Sequence, residues 1–496
     1  MPKEDNFIVA IELGSSKVTA IAGRKQPDGA IQVLASAQEP SESFIRKGRI
    51  NNFNKMTSCI ERIKGKLENT LHKSISSTYV GIGGMGMHTV RNTVARTLGE
   101  KLLITAEMVD NVKEANQIMP NGDREILDVI LQEYRLGTQT VSDPIGIASD
   151  NIEGRFLNII ASSSVTKDVR DCFNRAGLNV VGLPISVLTQ ADAILTEPEK
   201  RSGCVFVDMG AETTSVAIYK NNVLRHLAVI PLGGANINRD LCTLQIEDSE
   251  AEALKRKYAA AYRDENDAEE EPITLNDGRS VKFEEFSGLA EARMEEIIAN
   301  INNQIALSKY SKTELIAGIV VTGGASNIKN IDKAFTTFTS FEKLRFVKNL
   351  RLQYRVDPKS TAGFNTDGSY NTAIALIEKG EINCCGGDFG TDAGLFNDNA
   401  QTTTPAHQPS ASNIAAGTTV NGQPVTGQTG KPQQTTETAP EKTAEEAEAA
   451  EKPAQSRKWI HSFKNSFRKL AKTAGKLVDD NDEGPFSDDS SKKSEK

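Results

Sequence analysis

Cysteine and histidine, the usual ligands of metal and redox sites, are scarce in this chain of 496 residues. It has five histidines, and its six cysteines (Cys59, Cys172, Cys204, Cys242, Cys384 and Cys385) show no CxxC spacing. This pattern indicates reduced cytosolic thiols rather than a disulfide or zinc framework. The vicinal pair Cys384-Cys385 is interpreted as exposed loop thiols, with redox sensitivity as the alternative.

Long apolar runs and an excess of basic charge are also lacking. No window approaches the roughly 18 apolar residues of a spanning helix, and the start MPKEDNFIVAIELG lacks the basic region of a signal peptide. We therefore expect a cytoplasmic protein that touches a membrane only from the side. The net charge of −8 argues against general affinity for nucleic acid. The chain contains no GxxxxGK[ST], which excludes P-loop chemistry.

Short β-branched runs alternate with helical periodicity over residues 7 to about 382. The runs at 7–11, 205–207 and 316–321 are continuous, which is typical of strands buried on both faces. Helical periodicity intervenes at 56–71 and 294–307. The alternation predicts an α/β fold of two or more domains.

Two segments of one design predict a pair of nucleotide-binding hairpins. IELGSSKVTAI (11–21) and VDMGAETTSVAI (207–218) each place an acid, a glycine and small hydroxyl residues between two strands. The glycines permit the close approach of an anion, and the acids Glu12 and Asp208 are placed to hold Mg²⁺ through water. The residues expected around the phosphates are Gly14, Ser15, Ser16, Lys17, Asp208, Gly210, Thr213 and Thr214. Two similar lobes would grip a triphosphate between them.

A glycine loop and a helix complete the predicted site. IVVTGGASNIKNI (319–331) runs from a buried strand into Gly323, Gly324 and Ala325, where a base or ribose could lie against the backbone. In AEALKRKY (251–258), Glu252 and Lys255 lie three residues apart on one helix face. They either reach ribose hydroxyls or form an ordinary i,i+3 salt bridge.

The order of these elements resembles that of the actin/Hsp70/sugar-kinase superfamily. The amino-acid sequences of the individual motifs resemble those of the FtsA family. IPLGGANINRDL (230–241) is similar to the family's phosphate-side turn, with Gly233, Gly234 and Asn236 at matching positions. EILDVILQEYRL (125–136) and DPIGI (143–147) are similar to its extra subdomain, called 1C. The resemblance covers residues 7 to about 382. It implies an actin-like, two-lobed ATP-binding fold with ATP and Mg²⁺ as cofactors.

The resemblance also implies partners and a place in the cell. The chain would form actin-like polymers, tether the FtsZ ring to the inner face of the cytoplasmic membrane at the division septum, and recruit later division proteins. The FtsZ tail would bind near LAEARMEEIIANI (289–301), where Arg293 matches the family's basic position; a solvated helix charge is the alternative. A pilus-assembly actin homologue or a small-molecule kinase is the alternative function, although no residue is marked as a catalytic base.

The domain boundaries follow from the same resemblance. The expected parts are lobe 1 or 1A (6–83, 165–202 and 356–382), inserted subdomain 1C (84–164), lobe 2 or 2A (203–236 and 316–355), and subdomain 2B (237–315). They are followed by a disordered linker (388–455), a membrane-targeting amphipathic helix (456–478) and an acidic, polar tail (479–496).

Three positions depart from the family's pattern. Glu212 stands where many relatives carry glycine, Ser215 stands where they carry an acid, and Glu12 replaces the more common aspartate. A carboxylate at position 212 that points at a γ-phosphate would repel it unless Mg²⁺ or Lys17 compensates. These departures argue against fast hydrolysis but leave the pocket in place, so we expect at most slow ATPase activity.

The C-terminal segments predict a tether that ends in a lipid-binding helix. Residues 388–455 are rich in Thr, Gln, Pro and Gly, and such a linker has a root-mean-square span of about 45 Å. On a helical projection of 456–478, the apolar arc includes Trp459, Ile460, Phe463, Phe467, Leu470 and Leu477, and the basic arc includes Arg468, Lys469 and Lys472. This pattern is typical of an interfacial helix on anionic lipid; docking in an acidic protein groove is the alternative.

Overall fold

The computed structural model describes residues 6–118, 122–264, 271–358, 364–365 and 368–388. Nearly all of the predicted linker, the predicted helix at 456–478 and the tail at 479–496 lie outside these residues. Within the described ranges, no helix is both long and apolar enough to cross a membrane. The described part is a mixed α/β structure, which confirms the predicted fold class.

The helices and strands follow one another in four groups. The first is β1 (Ile8–Leu13), β2 (Lys17–Lys25), β3 (Ile31–Pro40), β4 (Ile45–Arg46), β5 (Arg49–Ile50), α1 (Phe53–Leu71), β6 (Lys73–Ile75) and β7 (Ser77–Gly81). The second is β8 (His88–Leu103), α2 (Ala106–Gln117), β9 (Arg124–Leu136), β10 (Gln139–Val141) and β11 (Ala148–Ser162). The third is α3 (Ser164–Arg175), β12 (Asn179–Gly182), α4 (Ser186–Ile194), α5 (Glu197–Ser202), β13 (Cys204–Met209), β14 (Thr214–Lys220), β15 (Val223–Ile230), α6 (Gly234–Leu241) and α7 (Asp248–Tyr258). The fourth is β16 (Ile273–Thr274), β17 (Ser280–Val281), α8 (Phe283–Ser308), β18 (Ile319–Thr322), α9 (Ile331–Phe338), β19 (Leu344–Phe346), β20 (Tyr354–Val356), α10 (Asn371–Lys379) and β21 (Cys385–Asp388).

The two predicted hairpins lie inside two large sheets and have the same pattern of strand pairing. The first sheet has the order β12-β7-β1-β2-β3-β20, and the second has the order β10-β9-β11-β8-β15-β14-β13-β18-β19. β1 is antiparallel to β2 and parallel to β7, and β13 is antiparallel to β14 and parallel to β18. In both hairpins the acid lies opposite a hydroxyl residue, Glu12 opposite Thr19 and Asp208 opposite Ser215. The internal repeat of the sequence is therefore also a repeat of structure.

Continuous apolar runs form the central strands β1 and β13, which are covered on both faces. The side chains of residues 8–11 are at most 1% exposed, and those of residues 205–207 are fully buried. Helices α1, α3 and α10 share the core of the first sheet. Helices α6, α8 and α9 share a second core with β13, β14 and β18.

The chain between β7 and α3 forms a small unit with a core of its own. Strands β8, β9 and β11 pair antiparallel, and α2 packs on β8 and β11. The buried apolar residues of this core are Ile104, Val109, Val112, Tyr134, Leu136, Ile152 and Phe156. The unit continues the second sheet, because His88 of β8 pairs with Ala228 of β15.

The end of the described chain corrects the interpretation of Cys384 and Cys385. Strand β21 pairs antiparallel with β6, so the fold extends to residue 388 rather than ending near 382. Cys384 is 0% exposed and Cys385 is 8% exposed, so the expected position in an exposed loop is wrong. Burial raises the pKa of Cys385 to about 12, which keeps its thiol protonated and unreactive near neutral pH.

Candidate nucleotide-binding site

The ends of β1 and β13 bring two partly buried acids together. Burial and the neighbouring Asp208 carboxylate raise the pKa of Glu12 to about 7, against the opposing effects of a hydrogen bond from Thr372 and the charge of Lys17. Burial raises the pKa of Asp208 to about 6. Two neighbouring carboxylates with raised pKa values are stabilised in their charged form by a cation, so the pair fits the predicted Mg²⁺.

Two carboxylates are also the donor set that Mg²⁺ usually takes from a protein at a nucleotide site. The described ranges contain no group of three or more His, Cys, Asp or Glu side chains placed to hold a metal ion. In nucleotide sites Mg²⁺ usually takes one or two carboxylates and fills its other positions with water and phosphate oxygens. Glu12 and Asp208 are suited to that arrangement.

The glycines of the site fall into two groups. At Gly14, Gly210, Gly233 and Gly323, a Cβ atom would lie 3.0 Å or less from a main-chain oxygen. These four glycines are required where the turns pack on themselves or on each other. At Gly324, by contrast, a Cβ would meet no atom within 4 Å. Gly324 therefore faces open space, and its contact with a base or ribose stays a prediction.

The turn at residues 233–234 joins the second hairpin to the glycine loop. Gly234 N donates to Gly210 O at 3.0 Å, and a Cβ on Gly234 would lie 3.1 Å from Ala325 Cβ and 3.6 Å from Lys255 Nζ. Gly234, Lys255 and Ala325, which are predicted site residues from three different segments, thus lie next to one another. The side-chain oxygen of Asn236 accepts from Gly233 N at 3.0 Å, so Asn236 caps α6.

Glu252 and Lys255 form the i,i+3 salt bridge that was one of the two interpretations. Lys255 Nζ donates to Glu252 Oε2 at 2.6 Å and to Gly234 O at 3.0 Å. Burial alone would raise the pKa of Glu252, but hydrogen bonds from Lys255, Asn238 and Arg256 outweigh it and lower the pKa to about 2. The pair therefore fixes α7 against the turn at 233–234.

Asn238 is a candidate that the sequence did not single out. Its Nδ2 donates to Glu252 at 2.9 Å, whereas its Oδ1 is buried and has no hydrogen-bond partner among the described residues. A buried acceptor without a partner is uncommon, which makes Asn238 a candidate ligand-binding residue. No spacing rule distinguishes Asn238 from other polar positions of α6.

Two hydroxyl groups of the hairpins form hydrogen bonds with the main chain of the protein itself. Ser15 Oγ accepts from Gly48 N at 2.9 Å, and Thr214 Oγ1 donates to Leu232 O at 2.9 Å. Thr214 is fully buried, so its prediction as a phosphate contact is wrong: its side chain joins β14 to the chain beyond β15. Ser16, Lys17 and Thr213 are partly exposed and remain candidates.

The Glu212 carboxylate is bound within the protein and is only 4% exposed. It accepts from Lys47 N at 2.6 Å and Arg46 Nη1 at 3.1 Å, and it also pairs with Arg239. Burial alone would raise the pKa of Glu212, but these donors outweigh it and hold the pKa below its ordinary value. The condition for repelling a γ-phosphate is therefore not met, because two guanidinium groups and an amide compensate the charge of Glu212.

Arg293 on α8 is also paired within the protein. Its Nε and Nη2 donate to the two carboxylate oxygens of Asp240 at 2.6 and 2.8 Å, and its Nη1 pairs with Glu296. The side chain is 16% exposed, so the alternative of a solvated helix charge is wrong. These bonds hold α8 against α6, and a contact with a partner stays a prediction.

We expect Arg293→Gln to lower the free energy of unfolding by about 2 kcal/mol, because Asp240 and Glu296 lose their counter-charge in a half-buried place. Urea unfolding followed by circular dichroism measures the loss. Arg256→Gln is the matched control. Its guanidinium is 78% exposed, so we expect a change below about 0.5 kcal/mol. Equal losses in the two variants would contradict the structural role of Arg293.

The paired hairpins and the two sheets that contain them define an actin-like fold of two lobes. We call the region around Glu12, Asp208 and residues 323–324, where the two hairpins meet, the cleft. Among solved structures, the "PilM-PilN type IV pilus biogenesis complex" has a similar fold, with a TM-score of 0.51 and 15% identity. The match covers 76% of this chain and 99% of that chain. At this identity the likeness concerns the fold alone.

Sequence comparison gives the family. A family model described as "Cell division protein FtsA" matches residues 205–375, and one described as "SHS2 domain inserted in FTSA" matches residues 84–160. Cell division protein FtsA of Porphyromonas gingivalis is 31% identical over 337 residues, which cover 66% of this chain and 70% of that protein. The Escherichia coli K12 protein of the same name is 26% identical over 389 residues, covering 76% and 90%. This chain belongs to the FtsA family.

Proposed function

We propose that this chain binds ATP and Mg²⁺, self-assembles, and tethers the FtsZ ring to the inner face of the cytoplasmic membrane at the division septum. The observation that carries the nucleotide part is the meeting of Glu12 and Asp208 at the ends of two equivalent hairpins, with Gly324 facing open space. Membership of the FtsA family supports the role in division and favours it over a pilus-assembly protein or a small-molecule kinase.

Each part of the cleft has a distinct role in this proposal. Glu12 and Asp208 hold Mg²⁺, which neutralises phosphate charge when it is bound. The main chain and the partly exposed side chains at 14–17 and 210–213 surround the phosphates. Residues 233–238, Lys255 and the loop at 323–325 enclose the ribose and base. No side chain in the cleft is assigned as a catalytic base, and we propose at most slow hydrolysis.

Membrane attachment in this proposal comes from the predicted helix at 456–478. Each basic residue near an anionic surface contributes up to about 1 kcal/mol, so a single helix binds reversibly. Polymerisation would present many helices at once, and each further helix would then bind at a high effective concentration. Self-assembly of the ATP-binding part would thus convert weak sites into a stable anchor, which could also recruit later division proteins.

Recruitment of FtsZ to vesicles tests the tether. Labelled FtsZ from the same organism is mixed with anionic vesicles, ATP, Mg²⁺ and either the full chain or a chain that ends at residue 455. We expect FtsZ to float with vesicles only in the presence of the full chain, because the shortened chain lacks the predicted lipid-binding helix. FtsZ that floats equally with both chains, or with neither, contradicts the proposal.

A further inference from the structure

The hairpin of β4 and β5 has an uncommon backbone. Its two-residue turn is formed by Lys47 and Gly48, whose φ angles of 50° and 73° both lie in the left-handed region. A two-residue turn with two positive φ values suits the twist of a β-hairpin, but lysine adopts this conformation at a cost of about 1 kcal/mol. Surrounding contacts must therefore hold Lys47 in place.

Those contacts connect the turn to both nucleotide hairpins. Lys47 N donates to Glu212 Oε2 at 2.6 Å, and the next amide, Gly48 N, donates to Ser15 Oγ at 2.9 Å. Ser15 belongs to the turn between β1 and β2, whereas Glu212 belongs to the turn between β13 and β14. Two consecutive amides thus bridge the first and second sheets at the phosphate end of the cleft.

Charge strengthens the bridge on the Glu212 side. Arg46, which precedes the turn, donates to Glu212 Oε1 at 3.1 Å, and Arg239 of α6 pairs with the same oxygen. Arg239 and Glu212 lie on the same side of the cleft, so Arg239 orients the carboxylate toward Arg46 and Lys47. Hydrogen bonds to an ionised acceptor are about twice as strong as neutral ones.

We propose that Glu212 is a positioning residue that clasps the two lobes together at the phosphate end of the cleft. Opening the cleft there separates Glu212 from Lys47 N and Arg46, so the clasp keeps the ligand-free cleft closed. It also slows the departure of a bound nucleotide; this second effect rests on the proposed ATP binding, whereas the first does not.

Amide hydrogen exchange on the ligand-free full chain tests the closure. Glu212→Ala should speed exchange at residues 46–48 by about tenfold, the effect of losing one charge-assisted hydrogen bond. Glu39→Gln is the matched control, because Glu39 is 11% exposed and pairs with Arg62 and Lys66 on the first sheet's side alone. It should leave exchange at 46–48 unchanged. Unchanged exchange in Glu212→Ala overturns the clasp.

Arg46→Gln is a second test of the clasp that does not depend on the folding of Glu212→Ala. The Arg46 side chain is 54% exposed, so its replacement should leave the fold intact and still speed exchange at 46–48 by about threefold. Exchange in the peptide covering α8 reports on the fold in every variant. If Arg46→Gln has no effect and α8 exchanges faster in Glu212→Ala, the role of Glu212 is merely structural and the proposal fails.

Stopped-flow dissociation of a fluorescent ATP analogue tests the second effect. Glu212→Ala should release the analogue about tenfold faster, with the association rate constant within about twofold of the original. Added salt should speed release from the original chain, because Arg46 is exposed enough to be screened, and should have less effect on Arg46→Gln.

No binding by the original chain contradicts the proposed function and leaves the exchange result to decide the clasp. Binding with unchanged release contradicts the second effect alone.

Discussion

Replacing Gly324 with tryptophan should abolish ATP binding while the protein stays folded. The φ angle of Gly324 lies outside the left-handed region, and a Cβ there would meet no atom within 4 Å, so the backbone accepts a side chain. The indole would then occupy the open space in which the base and ribose are proposed to lie. We expect the dissociation constant for ATP to rise by more than about a hundredfold, as when about 3 kcal/mol of contact is lost.

Two glycine variants separate a blocked site from a damaged fold. Gly324→Ala should bind ATP nearly as the original chain does, because one methyl group leaves most of the space free. Gly323→Ala should instead lower the melting temperature, because Gly323 has a φ of +95° and its Cβ would lie 2.5 Å from Asp208 Oδ1. Titration calorimetry measures ATP binding, and circular dichroism measures the melting temperature. ATP binding by Gly324→Trp at the original affinity would show that the adenosine position is wrong.

The two hairpins at 11–21 and 207–218 could be predicted because their signal is local. An apolar run, an acid, a glycine and hydroxyl residues follow one another within about a dozen positions, and the chain folds them as one antiparallel pair each time. Predicting that Glu12 and Asp208 lie next to each other required one further inference, namely that two similar lobes face a shared ligand. That inference came from the repetition of one hairpin design in the sequence.

The surroundings of Glu212 could not be predicted, because its partners come from distant parts of the sequence. Arg46 and Lys47 lie in the hairpin of β4 and β5 in the first lobe, and Arg239 lies on α6, 27 residues after Glu212. Only the assembled cleft brings these donors to one carboxylate. The sequence showed an acid in place of a glycine, and the prediction of repulsion followed from that difference alone.

Long-range pairing also explains the error at Cys384 and Cys385. The following Gly386 and Gly387 favour a loop by local composition. The structure instead pairs Cys385 with Ile75 of β6, a strand that is distant in the sequence. Such a pairing leaves no local signal in the sequence, because the strand is short and its residues do not alternate between apolar and polar.

Changing Phe463 and Phe467 to Glu should release the full-length chain from anionic vesicles about as completely as removal of residues 456–496. The two phenylalanines lie in the apolar arc of the predicted helix, and each contributes about 1–2 kcal/mol if it is only partly buried in lipid. The substitution removes that apolar area and also places two negative charges against an anionic surface. Vesicle flotation at a fixed lipid concentration measures the bound fraction.

Charge variants of the same helix show whether lipid is its binding partner. Changing Lys469 and Lys472 to Gln removes up to about 2 kcal/mol of attraction but leaves the apolar arc intact, so binding should weaken without disappearing. The remaining binding should fall more slowly with added salt, because fewer charges are left to screen. Halving the predicted linker should change binding little, since the helix only has to reach the surface. If the chain with Glu at positions 463 and 467 still floats with vesicles, the helix does not hold the protein on lipid, and an acidic groove on a protein partner becomes its better binding site.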